Sequence, residues 1–187
     1  MLGSIIPVQS LPLTVVTPNL IIQGSLRTRL RRLTDVMNEP DVDHLVLFDV
    51  TFLEVGSRRV VATSSVSQIQ LADMLFVHAS DPTGTSEEMR TAKQPIRAIL
   101  LAPPFTVEGQ IHLPMEEELG QAVDSLSGRF IALTSAKYWA YSLAESPNLV
   151  DLLVVNRARA HVAIPVGTEW LRAALPDAGL RGDQNPW

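Results

Sequence analysis

The sequence predicts a mainly β fold with short helices, arranged as a tandem repeat of two small β-barrel modules. Two stretches about 85 residues apart follow one pattern, in which Pro18 falls on Pro103 and Gly24 on Gly109. Apolar runs, turns and glycines then recur in the same order along both halves, and a polar stretch separates the halves. Each half therefore has the predicted element order β-β-α-β-β-β, without the strand–helix alternation that is typical of a parallel sheet.

Each copy begins with two strands that a proline-containing turn connects. Proline presets φ and donates no amide hydrogen, which suits a turn. The glycine inside the second strand is typical of a bulge or a strong bend. The predicted strands are Leu13–Thr17 and Leu20–Leu26 in the first copy, and Arg97–Leu101 and Phe105–Ile111 in the second.

A short helix follows in each copy, because apolar residues there share one helical face. Leu33 and Met37 lie on this face in the first copy, and Leu119 and Val123 in the second. A long apolar strand and a closing β-hairpin complete the predicted module. Their predicted bounds are His44–Val55 and Val66–His78 in the first copy, and Phe130–Tyr141 and Leu149–Ile164 in the second.

These elements divide the chain into four predicted parts. The first β-barrel module covers residues 1–79, a polar linker 80–95, the second module 96–165, and a C-terminal helix and tail 166–187. A module of about 65 residues buries only about 60% of its unfolded surface, so it is marginally stable alone. We therefore expect the modules to pack together or to oligomerise.

Composition excludes or disfavours several classes of protein. A hydrophobic fraction of 46% excludes disorder, and the absence of cysteine excludes disulfides, thiol chemistry and cysteine metal sites. The net charge of −5 and the pI near 5.3 disfavour a general binder of nucleic acid or anionic membranes. The apolar N-terminus has no basic segment and is interrupted by prolines, so it predicts neither a signal peptide nor a membrane span. The expected location is cytoplasmic.

Four short patterns give the copies a resemblance to an uncharacterised bacterial family of small domains of unknown function. Between them, the two copies extend this resemblance over most of the chain, and it implies no activity. The patterns are Ile22-Gln-Gly-Ser-Leu26, Leu33-Thr-Asp-Val-Met-Asn38, Phe130-Ile-Ala-Leu-Thr134 and Val150-Asp-Leu-Leu-Val-Val-Asn156.

The strand order is more distantly similar to the Sm-like fold, an SH3-like bent barrel of five strands that builds rings. Asp35-Val-Met-Asn38 resembles the Asp-x-x-x-Asn of the first motif of that fold. The Arg-Gly turn of its second motif is absent, because Ala72-Asp73 and Asn156-Arg157 stand in its place. Since those residues form the RNA-base pocket of the family, the resemblance implies the fold without the RNA site.

The two copies differ in charge near their helices. The first copy has four arginines there, and the second copy has three glutamates. Complementary charge of this kind sets register and partner choice more than affinity. These stretches are candidate interaction sites, within one chain or head to tail between chains, although two solvated faces that have diverged would give the same pattern. The residues are Arg27, Arg29, Arg31, Arg32, Glu116, Glu117 and Glu118.

The sequence indicates no catalytic, cofactor-binding or metal site. The histidines His44, His78, His112 and His161 are scattered, without the spacing of a metal site. Neither a G-x-S-x-G elbow nor a glycine-rich phosphate loop occurs.

Two functional hypotheses follow. The first is a non-enzymatic scaffold or adaptor that self-assembles or binds a protein partner, with no membrane or cofactor and with nucleic acid not expected. The second is a ligand-sensing or RNA-binding regulatory protein that uses the groove between the modules or the Arg27–Arg32 patch.

Overall fold

In the computed structural model, ten antiparallel strands of the described residues form one open sheet. The structure describes residues 8–29, 32–79, 93–114, 119–124, 126–140 and 146–164. The predicted mainly β class is therefore confirmed. The predicted C-terminal helix and tail, residues 166–187, and most of the predicted linker lie outside the described residues.

Strands account for most of the described residues, and the helices are short. The strands are β1 (Gln9–Val16), β2 (Leu20–Thr28), β3 (His44–Glu54), β4 (Val60–Gln70), β5 (Phe76–Ala79), β6 (Lys93–Ala102), β7 (Phe105–Pro114), β8 (Phe130–Ala140), β9 (Asn148–Asn156) and β10 (His161–Ala163). The helices are α1 (Leu33–Met37) and α2 (Leu119–Asp124), and two 3-10 turns cover Leu71–Asp73 and Arg157–Arg159. Because β6 begins at Lys93, the last three residues of the predicted linker belong to a strand.

The two halves of the sheet have the same strand order. Neighbouring strands run β10-β6-β7-β8-β9-β5-β1-β2-β3-β4 across the sheet, so β10, β6, β7, β8 and β9 repeat the arrangement of β5, β1, β2, β3 and β4. The predicted closing hairpins are wrong. In the first half, β4 pairs with β3 while β5 pairs with β1 and β9; in the second half, β9 pairs with β8 and β5 while β10 pairs with β6. In each half, a 3-10 turn, Leu71–Asp73 or Arg157–Arg159, connects two strands that do not pair with each other.

The predicted glycine bulge is present in both halves. The ladder shifts register at Gly24, between β2 and β3, and at Gly109, between β7 and β8. A Cβ atom at Gly24 would lie 3.3 Å from Leu47 Cβ, and one at Gly109 would lie 3.1 Å from Leu133 Cβ. Glycine lets the next strand approach this closely, and the bulge bends the sheet.

The hydrophobic cores are shared between the halves. Leu75 and Phe76 of the first half are buried in the cluster that the second half dominates. Phe130 and Val154 of the second half are buried in the cluster of the first half. Each half therefore completes the core of the other, which explains how two units that would be marginal alone stabilise each other.

Candidate functional site

The junction between the halves is a short antiparallel ladder of β5 against β9. Phe76 lies opposite Val155, Val77 opposite Val154, and His78 opposite Leu153. The ladder extends by one bond at its end, where the Asn156 amide donates to the Leu75 carbonyl at 2.9 Å. The first half thus adds its last strand to the edge of the second half.

The side chain of Asn156 locks this junction. It is 5% exposed, and its Nδ2 donates to the carbonyls of Leu71 at 3.1 Å and Met74 at 3.0 Å. Its Oδ1 accepts from the Ala158 amide at 3.0 Å. A buried amide that is satisfied in this way fixes the 3-10 turn of one half against the strand end of the other.

A second lock joins α1 to the start of β8. Asn38 Nδ2 donates to the Phe130 carbonyl at 3.0 Å, and the Phe130 amide donates back to Asn38 Oδ1 at 2.9 Å. Beside it, Arg129 Nη2 donates to the Glu39 carbonyl at 2.6 Å. The Asn38 side-chain amide therefore pairs with the Phe130 backbone as a neighbouring strand would, and it links the two halves.

Aromatic rings fill the core behind the junction. The Phe76 ring, from the first half, lies edge-on to Phe105 with centroids 5.4 Å apart, and 4.8 Å from Tyr138. Both partners belong to the second half. Such pairs add about 0.5–1.5 kcal/mol beyond the area that they bury, so this contact strengthens the junction.

The two ends of the sheet lack the partner that the junction strands have. Among the described residues, β4 pairs only with β3, and β10 only with β6. The β4 strand, Val60–Gln70, is long for an edge and contains no charged residue and no proline. Natural edge strands usually carry such residues to prevent pairing with another chain, so this edge is unprotected.

Exposed apolar side chains gather at the same end. Val60, Val61 and Val66 of β4 are 54%, 56% and 50% exposed, and Val46 on the neighbouring β3 is 40% exposed. Exposed β-branched residues on an edge strand are typical of a surface that binds another strand.

The direction of the β4 backbone groups follows from the pairing of β4 with β3. The Leu71 amide donates to Asp43 on the β3 side, so the alternate residues Gln70, Gln68 and Val66 direct their backbone groups to the free edge. At Val66, the Ser64 hydroxyl bonds both outward groups, at 3.3 Å from the amide nitrogen and 2.7 Å from the carbonyl oxygen. Gln68 has no such local substitute among the described residues.

The predicted charge cluster is only partly within the described residues. Arg27 lies in β2 rather than near the helix, with its guanidinium carbon 4.0 Å from the centroid of the Phe48 ring. Arg29 and Arg32 are exposed, and Arg32 directly precedes α1. The meeting of the two charged stretches stays a prediction. The remaining members, Arg31, Glu116, Glu117 and Glu118, lie outside the residues whose side chains are described.

Reasoning from the sequence misses both asparagine locks and the free edge. The sequence pattern places Asn156 in a hairpin turn, and it identifies Asn38 only as part of a motif. The run Val60–Gln70 is β-prone and carries no charge, so the sequence indicates a strand there but does not mark it as an edge.

Neither a metal centre nor a membrane-spanning helix is found in the described part of the chain. No group of three or more His, Asp or Glu side chains lies close enough together there to hold a metal ion. None of the described helices has the length and apolar character needed to cross a lipid bilayer.

Comparison with known proteins gives no relative. No protein-family model, no curated protein and no solved structure matches this chain.

Proposed function

We propose that this chain is a non-enzymatic scaffold that assembles head to tail with further copies of itself through the two ends of its sheet. The repeated strand order carries the proposal. Among the described residues, β10 and β4 are each paired on one side only, and they correspond to β5 and β9, which already pair inside the chain. Each half is then one repeat of a small Sm-like or SH3-like module. Pairing β10 of one copy with β4 of the next continues the sheet by the contact that its centre uses.

The register of this contact follows from the internal junction. Phe76 and His161 occupy corresponding positions, since they lie opposite Val16 in β1 and Leu101 in β6. On the other strand, Ile69 corresponds to Val155. Transferring the β5·β9 register places three residues of β10 against three of β4 in a neighbouring copy: His161 opposite Ile69, Val162 opposite Gln68, and Ala163 opposite Ser67.

A head-to-tail contact joins two different surfaces, so every copy retains one free end of each kind. Such heterologous contacts close into rings when the rotation between copies permits and otherwise grow into filaments. Either product would pair the outward backbone groups of Gln68, which have no substitute within the described residues. Burial of apolar surface favours the contact, and the lost translational and rotational freedom of the two chains opposes it.

Proline substitutions test the two ends separately. Gln68→Pro removes an amide hydrogen that faces the free edge without removing a bond to β3, and Val162→Pro does the same on β10. The controls Gln68→Thr and Val162→Thr keep the amide. We expect the wild type and both threonine variants to form oligomers in light scattering at micromolar concentration. Each proline variant should have the mass of one 20.5 kDa chain.

Mixing the two proline variants distinguishes head-to-tail assembly from its alternatives. The Gln68→Pro chain keeps an intact β10, and the Val162→Pro chain keeps an intact β4, so the mixture should form a one-to-one dimer. A Val162→Pro chain that still dimerises alone would instead show pairing of β4 with β4. A monomeric wild type over the micromolar range would overturn the proposal.

A further inference from the structure

A cavity of about 480 Å³ opens at the point where β5 ends against β8 and β9. It exists because β9 is longer than β5. The ladder between them stops at the pair of His78 and Leu153, so the first residues of β9 have no partner strand on that side among the described residues. The lining residues are His78, Ala79, Ser135, Ala136, Leu149, Val150 and Asp151.

Asp151 supplies the charge of this cavity. It forms no ion pair with any described residue. Burial lowers the pKa of His78, and the backbone of Ala79 opposes this effect only in part. The imidazole is therefore neutral near pH 7. His78 Nε2 is 3.4 Å from Tyr138 Oη, and its buried Nδ1 is shielded from the cavity. Among the described lining residues, Asp151 is thus the one charged group.

The lining repeats a pattern found in the other half. Ser135, at φ 48°, lies across the ladder from Asp151, between the pairs Thr134–Leu152 and Ala136–Val150. The positive φ of Ser135 makes a kink in β8. In the first half, Asp49 has φ 52° at the corresponding kink of β3 and lies across from Ser65. Each half therefore places one carboxylate and one hydroxyl at the kink, with the two groups exchanged between strands.

A third polar group comes from the β9 backbone. Because Asn156 faces β5, the alternate residues Val154, Leu152 and Val150 direct their carbonyls to the same side. The Val150 carbonyl therefore lies at the unpaired part of the edge. Around these acceptors, Ala79 and Leu149 present aliphatic surface, and Leu149 is 80% exposed.

We propose that the cavity binds a primary alkylammonium group, with Asp151, the Ser135 hydroxyl and the Val150 carbonyl as acceptors. An ammonium has three donors and no acceptor, which matches one carboxylate and two neutral oxygens. Its positive charge matches the carboxylate of Asp151, and its methylene chain lies against the aliphatic wall. The group belongs either to a free amine or to a lysine of another protein. The site lies within one chain and does not depend on assembly.

Calorimetric titration of the full chain with n-butylammonium tests the proposal, with n-butanol as a neutral analogue of similar shape. We expect binding of the ammonium and none of the alcohol. Asp151→Asn should weaken binding about tenfold or more, because it removes a charged acceptor. Ser135→Gly should weaken it about threefold, and glycine accepts the positive φ without strain.

The matched control is Asp73→Asn, which removes an exposed carboxylate outside the cavity and should leave the affinity within about twofold. Thermal melts of each variant check that the fold is retained. Equal binding of butanol, or an unchanged affinity in a folded Asp151→Asn, would overturn the proposal. Displacement of butylammonium by a blocked Gly-Lys-Gly peptide identifies protein lysine as the source, and failure of the peptide to displace it identifies a free amine.

Discussion

The junction at the centre of the sheet and the two ends of the sheet are built from corresponding strands, yet their side chains differ. At the junction, Asn156 is buried and makes three hydrogen bonds; its counterpart at the β4 end, Gln70, is exposed. Asn38 bonds to the backbone of Phe130 at the start of β8. The corresponding residue at the start of β3 is His44, which is partly exposed. The strand arrangement is thus common to both places, and buried side chains reinforce it only at the junction.

This difference suits the proposed assembly. The central contact forms within one chain, where the linker keeps the partners at high effective concentration, so it can serve as part of the folded core. A contact between chains is governed by protein concentration, and it gives a reversible assembly only if its strands are stable when unpaired. The β4 strand fits that requirement, because the monomer folds with most residues of β4 exposed.

The largest expected effect is at the central lock. Asn156→Ala removes the side chain that bonds Leu71, Met74 and Ala158. The buried Met74 carbonyl then loses its donor, whereas the Leu71 carbonyl keeps the bond from the Met74 amide and the Ala158 amide belongs to an exposed residue. We expect a loss of about 2–4 kcal/mol in the free energy of unfolding, measured by urea denaturation. The matched variant, Gln70→Ala, should change it by about 0.5 kcal/mol or less, because Gln70 is exposed.

Equal losses in these two variants would contradict the contrast between the centre and the ends. A large loss in Gln70→Ala alone, at a concentration where the wild type is oligomeric, would instead indicate that the β4 end is already buried in the assembly. Repeating the denaturation at two protein concentrations separates these cases, since only the assembled state is concentration-dependent.

A smaller effect is expected at a buried carboxylate that only the second half has. Glu108 is 7% exposed; its Oε1 accepts from Arg97 Nε at 2.8 Å, and its Oε2 lies 3.0 Å from Lys137 Nζ. Glu108→Gln leaves both cations facing a neutral amide, and we expect a loss of about 1–2 kcal/mol in the free energy of unfolding, limited because both cations are partly solvated.

The matched control uses the corresponding position of the first half. Gln23, which is exposed, pairs across from Thr51 at the same side of the bulge. Gln23→Glu should change the free energy of unfolding by less than about 0.5 kcal/mol. A neutral Glu108→Gln would show that the ion pairs do no more than offset the cost of burying the carboxylate.

The sequence predicts the local elements well and their pairing poorly. The bulge glycines, the short helix at Leu33 and the long third strand of each half all follow from periodicity and glycine chemistry. The predicted closing hairpin is wrong because apolar runs with a short turn between them satisfy the hairpin pattern, whereas the real partners of β5 are β1 and β9, far away in sequence. Such pairing depends on the whole sheet.

The candidate site shows the same limit. Asn38 and Asn156 bond to groups roughly 80–90 residues away, so neither a motif nor a spacing reveals their role. The run Val60–Gln70 carries no charge and no proline, which is typical of a strand paired on both sides, so its local sequence does not predict an edge. Which strand lies at the edge is a property of topology and not of local sequence.

The smallest expected effect concerns His78, which lies at the junction, whereas Ala163 occupies the corresponding place at the β10 end. Burial lowers the pKa of His78 below the value of 6.5 that it has in the unfolded chain, so the unfolded chain binds a proton more readily. The free energy of unfolding should therefore fall as the pH falls below about 6.5 toward the folded-state pKa. In His78→Gln this part of the pH dependence should disappear, whereas the exposed His161→Gln should retain it. Urea denaturation from pH 8 to pH 5 measures the difference, and parallel curves for the wild type and His78→Gln would show that the imidazole at the junction is solvated rather than buried.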